Sequence, residues 1–158
     1  MARGFPHHLD LTVSDLARST AFYDVVLGSL GYARSADYAG DVPCWCWTGT
    51  SERRARRACP GPDPGDAQER RTTDGPCFSI GLHVARSDAP HDRYACGLHH
   101  LALHAASRAE VDAFHALLVR EGLRVLDAPA EYDYTPGYYA VFFADPDGLK
   151  LELVHEPR

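Results

Sequence analysis

Leu9, Leu11 and Val13 alternate with His8, Asp10 and Thr12 near the start of the chain, the period of two that a half-buried strand requires. Its polar face carries imidazole and carboxylate rather than surface lysine. Past Ser14 and Asp15, which supply an N-cap and a negative first turn, Ala21, Phe22, Val25, Val26 and Leu30 recur at helical spacing, and Gly31 ends the helix. The same order returns later. Leu101 to Ala105 predicts a strand, Ser107-Arg108-Ala109-Glu110 reads as a capping box, and Val111, Phe114, Leu117 and Leu118 share one helix side before Gly122. Further strands are predicted after each helix, over 32–38, 43–48 and 78–84 and then over 124–128, 138–144 and 150–155.

These are two copies of one plan. His7-His8-Leu9-Asp10-Leu11-Thr12-Val13 matches His99-His100-Leu101-Ala102-Leu103-His104-Ala105, and the same offset of 92 aligns Ala17 with Ala109, Ala21 with Ala113 and Phe22 with Phe114. Each module reads β-α-β-β-β, so the expected fold is α+β, with two tandem βαβββ modules in one domain spanning 1–158. Module one runs over about 5–90 and module two over about 96–158. Repeats of this kind often place equivalent residues about a pseudo-twofold axis, which makes a metal site involving His8 and His100 the first functional question. Asp145-Pro146-Asp147-Gly148 suits a type I turn and fixes the depth of Glu152 on the final strand. The segment 49–76 carries Arg53, Arg54, Arg56, Arg57, Arg70 and Arg71 among prolines and glycines, and is expected to be a solvated loop, a lid or a partner contact.

Composition narrows the partners. The 158 residues are 45% hydrophobic and 24% charged, ordinary for one compact domain, and a net charge of −6 gives no general attraction to nucleic acid or anionic membranes. No apolar run approaches the roughly 20 residues that cross a bilayer, and the N-terminus lacks a secretory apolar core. A cytoplasmic protein with a small-molecule partner is expected. The five cysteines, Cys44, Cys46, Cys59, Cys77 and Cys96, show no CxxC spacing, so neither a disulfide framework nor a structural zinc site is indicated, and Cys44 and Cys46 are expected as free thiols on one strand face. Trp45 and Trp47 alternate with them and are expected to pack in the core rather than line a pocket.

The chain resembles the vicinal oxygen chelate superfamily of glyoxalases, extradiol dioxygenases, fosfomycin-resistance and bleomycin-resistance proteins. The resemblance is carried by His8-Leu9-Asp10-Leu11-Thr12-Val13-Ser14-Asp15-Leu16 with Ala21-Phe22-Tyr23, by Gly97-Leu98-His99-His100-Leu101-Ala102-Leu103, and by Asp145-Pro146-Asp147-Gly148-Leu149-Lys150-Leu151-Glu152-Leu153. It implies two βαβββ modules whose mixed sheets curve around a cleft. By position it makes His8, His100 and Glu152 ligands of a divalent ion, Fe, Mn, Ni or Zn. Four-ligand members of the family add an acidic or amide residue at the place of Gly81, which has no side chain to offer; His83 shares its strand face but is not counted as a ligand. A homodimer is expected, and the resemblance leaves open whether the cleft forms within one chain or between two.

Two imidazoles and one carboxylate on one face of an ion leave positions open for a substrate with two adjacent oxygens. Glu152 has a competing reading as one half of a Lys150–Glu152 pair on a solvent-facing strand. His104, on the strand face of His100, is a candidate acid or base near neutral pH, and Asp10 shares the face of His8. Tyr138 belongs to a phenol-rich stretch, 131–139, that either binds a planar ligand or packs against the loop. His7 and His99 are expected on the opposite strand face from their neighbours, in structural roles. The expected function is that of a metal-dependent enzyme, a lyase, isomerase or extradiol-type dioxygenase; the alternative is a metal-free protein that binds an antibiotic or aromatic molecule.

Overall fold

Burial follows the predicted alternation on the first strand: Leu11 and Val13 are buried and His8 and Thr12 exposed along β1 (His8–Val13). The computed structural model describes residues 4, 6–35, 42–47 and 78–157. The segment 49–76 and its arginines lie outside the described residues, as do Cys59 and Cys77. Contacts divide the chain into two units, one ending at Ser87 and the other beginning at Asp88.

Unit one consists of β1, α1 (Leu16–Ser29), β2 (Ala33–Arg34), β3 (Cys44–Trp47) and β4 (Phe78–Val84), with sheet order β1-β4-β3-β2. The β1–β4 pair is parallel and the other pairs antiparallel. Unit two repeats the plan with β5 (His100–His104), α2 (Arg108–Arg120), β6 (Val125–Glu131), β7 (Tyr139–Ala144) and β8 (Lys150–His155) in the order β5-β8-β7-β6, with β5–β8 parallel. The architecture is α+β with two four-stranded mixed sheets, as the βαβββ reading requires. Of the predicted strand over 32–38, only Ala33–Arg34 pairs among the described residues.

The helix ends show how local sequence fixes these elements. Asp15 is itself the N-cap of α1 and accepts from the Arg18 N–H at 3.0 Å, so it precedes the first turn instead of lying in it. Ser107 caps α2, and the Glu110 carboxylate accepts from the Ala106 N–H, a capping box shifted back by one residue. Both helices close in the same way, with Gly31 at φ 83° and Gly122 at φ 66°, where residues with a Cβ are strained. The apolar stripe of α1 differs from the predicted one. Ser19, Phe22, Tyr23, Val26 and Leu27 are buried while Ala21 is exposed, because the i, i+3, i+4, i+7, i+8 set begins at Ser19.

Each unit buries the apolar face of its sheet beneath its helix. In unit one Tyr23 lies 5.9 Å from Trp45, whose indole N–H donates to Asp24 at 2.9 Å, so Trp45 is a core residue as expected. In unit two Phe114 meets Phe143 edge-on at 5.2 Å among Val111, Leu118, Leu151 and Leu153. With the apolar faces covered, the opposite faces carry His8 and Asp10 in one unit and His100 and Glu152 in the other.

The cysteine expectation needs one correction. Cys44 is buried and Cys96 exposed, neither in a disulfide, but Cys46 is disulfide-bonded. Chain spacing missed this bond because disulfide pairing depends on how distant segments meet.

Candidate functional site

In unit two the parallel register sets His100 beside Lys150 and Ala102 beside Glu152. Glu152 is only 2% exposed, and each of its oxygens faces a polar partner. The Tyr138 hydroxyl donates to Glu152 Oε1 at 2.5 Å, and His100 Nε2 lies 3.3 Å from Oε2. Burying a carboxylate is expensive unless donors or a cation compensate it, so this arrangement singles Glu152 out from an ordinary strand residue. The solvent-facing Lys150–Glu152 pair is thereby excluded: Lys150 Nζ sits 3.7 Å above the Phe142 ring, and Glu152 faces away from water.

Aromatic residues adjoin the carboxylate. Tyr132 and Tyr138 pack on Ala140, Phe142 and Val154; Tyr132 also meets Phe142 edge-on at 5.2 Å, and Tyr134 meets Tyr138 edge-on at 5.1 Å. Burial, then the hydrogen bond to Glu152, pushes the Tyr138 phenol well above its ordinary range. The Tyr138 hydroxyl is the donor of this hydrogen bond. The tyrosines of the phenol-rich stretch pack on one another beside Glu152, with Tyr134 68% exposed, while the loop against which they were alternatively expected to pack lies outside the described residues.

The histidine pairs are joined through their rings. His99 Nδ1 and His100 Nδ1 are 2.7 Å apart, and His7 Nδ1 and His8 Nδ1 are 3.0 Å apart. One nitrogen of each pair donates to the other, which leaves Nε2 of His100 directed at Glu152. His7 and His99 thus do not point to the opposite face as expected. Both lie one residue outside their strands, where the alternation of side chains no longer applies.

In unit one His8 Nε2 lies 4.0 Å from Asp10 Oδ2, and His83 Nε2 lies 3.5 Å from the same oxygen. Asp10 pairs in register with Gly81, and a Cβ on Gly81 would fall 2.6 Å from Asp10 Oδ1. The His83–Asp10 contact escaped the sequence reading, which had only their shared strand polarity to go on. His104 is exposed at the end of β5 on the face of His100, in register with Val154.

The donor chemistry fits a divalent ion. Two ligands about 2.1 Å from one ion in adjacent octahedral positions stand about 3 Å apart, and His100 Nε2 and Glu152 Oε2 are 3.3 Å apart. Neutral imidazole with carboxylate suits Fe, Mn, Ni or Zn. Among the described residues no three His, Cys, Asp or Glu side chains are gathered as a ready-made ion site. His100 and Glu152 are brought together, with Tyr138 behind them, and His8 stands beside Asp10.

Comparison with known proteins places this geometry in context. A family model described as the Glyoxalase/Bleomycin resistance protein/Dioxygenase superfamily matches residues 6–153. The chain is 30% identical to the protein YqjT of Bacillus subtilis (strain 168) over 152 residues, covering 94% of this chain and 96% of that protein. It is 32% identical to a 2-epi-5-epi-valiolone epimerase from Actinomyces sp over 164 residues, covering 98% and 84%. Among solved structures, a candidate glyoxalase from Bacillus halodurans is 25% identical with a TM-score of 0.68, covering 98% of this chain and 97% of its own. The fosfomycin resistance protein FosX of Listeria monocytogenes shares the fold, with 16% identity, a TM-score of 0.61 and coverage of 99% and 96%.

Proposed function

Since the chain belongs to the Glyoxalase/Bleomycin resistance protein/Dioxygenase superfamily, we propose that it is a divalent-metal-dependent enzyme acting on a small substrate that offers two adjacent oxygens to the ion. We assign His8, His100 and Glu152 as metal ligands. The observation that carries this reading is Glu152, a buried carboxylate with His100 Nε2 at 3.3 Å from one oxygen and the Tyr138 hydroxyl on the other. When bound, the ion supplies Lewis acidity to a substrate oxygen.

The reaction we propose is proton transfer at a carbon next to a carbonyl. Likeness to an epimerase at 32% identity supports this over oxygen insertion. Epimerisation takes a proton from one face of that carbon and returns one to the other, so nothing is oxidised or reduced. His104, exposed on the face of His100, is assigned as the base that takes the proton from one face of the carbon, and water supplies the proton returned to the other face. Tyr138 holds the Glu152 carboxylate in place through the hydrogen bond from its hydroxyl. Tyr132 and Tyr134, stacked on one another, form the aromatic wall against which a substrate lies.

That wall also favours a second reading, a metal-free protein that binds an aromatic or antibiotic ligand. One experiment separates the two. Protein loaded with Mn²⁺ is incubated in D₂O with a panel of small hydroxyketones, and exchange at the carbon beside the carbonyl is followed by proton NMR. Exchange that disappears with chelator and in His104→Gln supports the enzyme. No exchange across the panel, with tight binding of an aromatic ligand to the chelated protein, overturns it.

A further inference from the structure

Unit two holds a cavity of about 320 Å³ at the end of its sheet where β7 turns into β8, and Arg93, Tyr94, Arg124, Leu126, Ala144 and Gly148 are among the residues that line it. Ligand sites start at about this size. Every lining residue belongs to unit two, so the cavity needs nothing from unit one.

The strand registers put this cavity on the face that carries Glu152. Side chains two apart on a strand share a face, as do those opposite one another on paired strands. Ala144 is opposite Lys150, Lys150 is opposite His100, and Phe142 is opposite Glu152. Ala144 and Glu152 therefore lie on one face in neighbouring rows. Leu126, which packs on the cluster containing Phe142, joins Ala144 in lining the cavity. Two residues along β7 and one strand across place Ala144 about 8 Å from Glu152, Cα to Cα.

The charge of the cavity is unbalanced. Two other arginines of unit two are paired, Arg108 with Glu131 and Arg120 with Glu121. Arg93 and Arg124 have no acidic partner among the described residues, and both line the cavity. Arg93 is half-buried and held in place: its guanidinium lies 4.9 Å from the centre of the Tyr94 ring and donates to the Tyr94 hydroxyl at 3.0 Å. The Arg124 carbonyl accepts from the Ala144 N–H at 2.9 Å, which fastens its backbone to the end of β7. His91 adds an imidazole at the rim. One carboxylate, Asp92, is also there, with its Oδ1 accepting from the Tyr94 N–H at 2.9 Å within its own turn, and two guanidinium groups outweigh it.

We propose that this cavity binds the anionic group of a small organic molecule, a carboxylate or a phosphate, with Arg93 and Arg124 as its cationic donors. A guanidinium matches either anion with paired N–H groups. Its nearness to Glu152 on one face makes the substrate the molecule held, with its adjacent oxygens toward His100 and Glu152 and its anionic end at the arginines. That the ligand is the substrate rests on the reaction proposed above, whereas the anion site stands on its own residues.

The test uses the full chain freed of metal. Inorganic phosphate and acetate are titrated separately at constant ionic strength and followed by two-dimensional amide NMR, which also reports the folding of each variant. Saturable shifts are expected at Tyr94, Arg124 and Gly148 with at least one of the two anions, and the tighter one identifies the group. Arg93→Gln/Arg124→Gln removes two charged donors and should raise the dissociation constant at least about tenfold, while Arg120→Gln should bind like the parent. No saturable shift with either anion, or a double variant that binds like the parent, overturns the site. In the deuterium-exchange assay, a hydroxyketone bearing the identified group should show a lower KM than its uncharged parent, an advantage the double variant loses with kcat little changed. Equal KM values for the two ketones would overturn the link between cavity and substrate. Anion binding without exchange in any ketone would remove the reaction and leave the anion site standing, and exchange of uncharged ketones without anion binding would do the reverse.

Discussion

Replacing Tyr138 by Phe removes one hydroxyl and leaves the ring in place against Tyr134, 5.1 Å away. What is lost is the donor to Glu152 Oε1, a contact of 2.5 Å to a carboxylate that is 2% exposed. Hydrogen bonds to charged groups contribute about 1.5–3 kcal/mol, and a buried acceptor left without its donor bears the full desolvation penalty. Tyr138 is itself only half-buried, so water can reach part of the gap and the lower end applies, about 1.5–2 kcal/mol. At about 2–4 °C per kcal/mol for a chain of this size, the melting temperature should fall by about 3–8 °C. Urea unfolding followed by far-UV circular dichroism, on metal-free protein, measures the difference directly. Tyr139→Phe is the internal comparison. Its hydroxyl donates to Asp112 Oδ1 at 2.8 Å, but on the surface, where water replaces the bond. Its midpoint should shift much less than that of Tyr138→Phe. Equal shifts for the two variants, or a stabilised Tyr138→Phe, would refute the claim that burial of Glu152 gives this bond its weight.

Two further outcomes follow from single residues. Asp145 is buried and its Oδ1 accepts from the N–H groups of Asp147 and Leu149 at 2.9 and 2.8 Å, so Asp145→Ala should cost about 1–3 kcal/mol in urea unfolding; no loss would mean the turn holds without it. Burial pushes the Tyr32 phenol up from about 10 to about 12. The raised value means the folded state holds the neutral phenol more tightly, so this stabilisation is intact below about pH 10 and is lost as pH rises through about 12. An ultraviolet titration should show a late-ionising tyrosine that vanishes in Tyr32→Phe, and the same late component in that variant would assign it elsewhere.

Much of the fold was legible because its signals are local. The alternation around Leu9, Leu11 and Val13 and the turn Asp145-Pro146-Asp147-Gly148 report on a few neighbouring residues, and β4, β7 and β8 fall within a residue of their predicted limits. The histidine repeat also placed His8 and His100 at the start of equivalent strands. What stayed hidden depends on partners far apart in the chain. Tyr138 is 14 residues from Glu152, and Asp10 meets Gly81 only through the parallel register of β1 with β4. Side-chain alternation cannot supply that register, nor can it say that Glu152, flanked by leucines, faces Tyr138 and His100 and not water. The reading of His7 and His99 erred for a related reason, since their strands begin one residue later.

Metal content tests the central claim most directly. Purified protein, reconstituted with Fe²⁺, Mn²⁺, Ni²⁺ or Zn²⁺ and freed of excess, is assayed by plasma mass spectrometry beside His8→Ala, His100→Ala and Glu152→Ala. Near-stoichiometric retention of at least one of these ions by the parent, and its loss in all three variants, is the result expected. A parent that retains none of them, or variants that retain as much as the parent, would contradict the assignment of these residues as ligands.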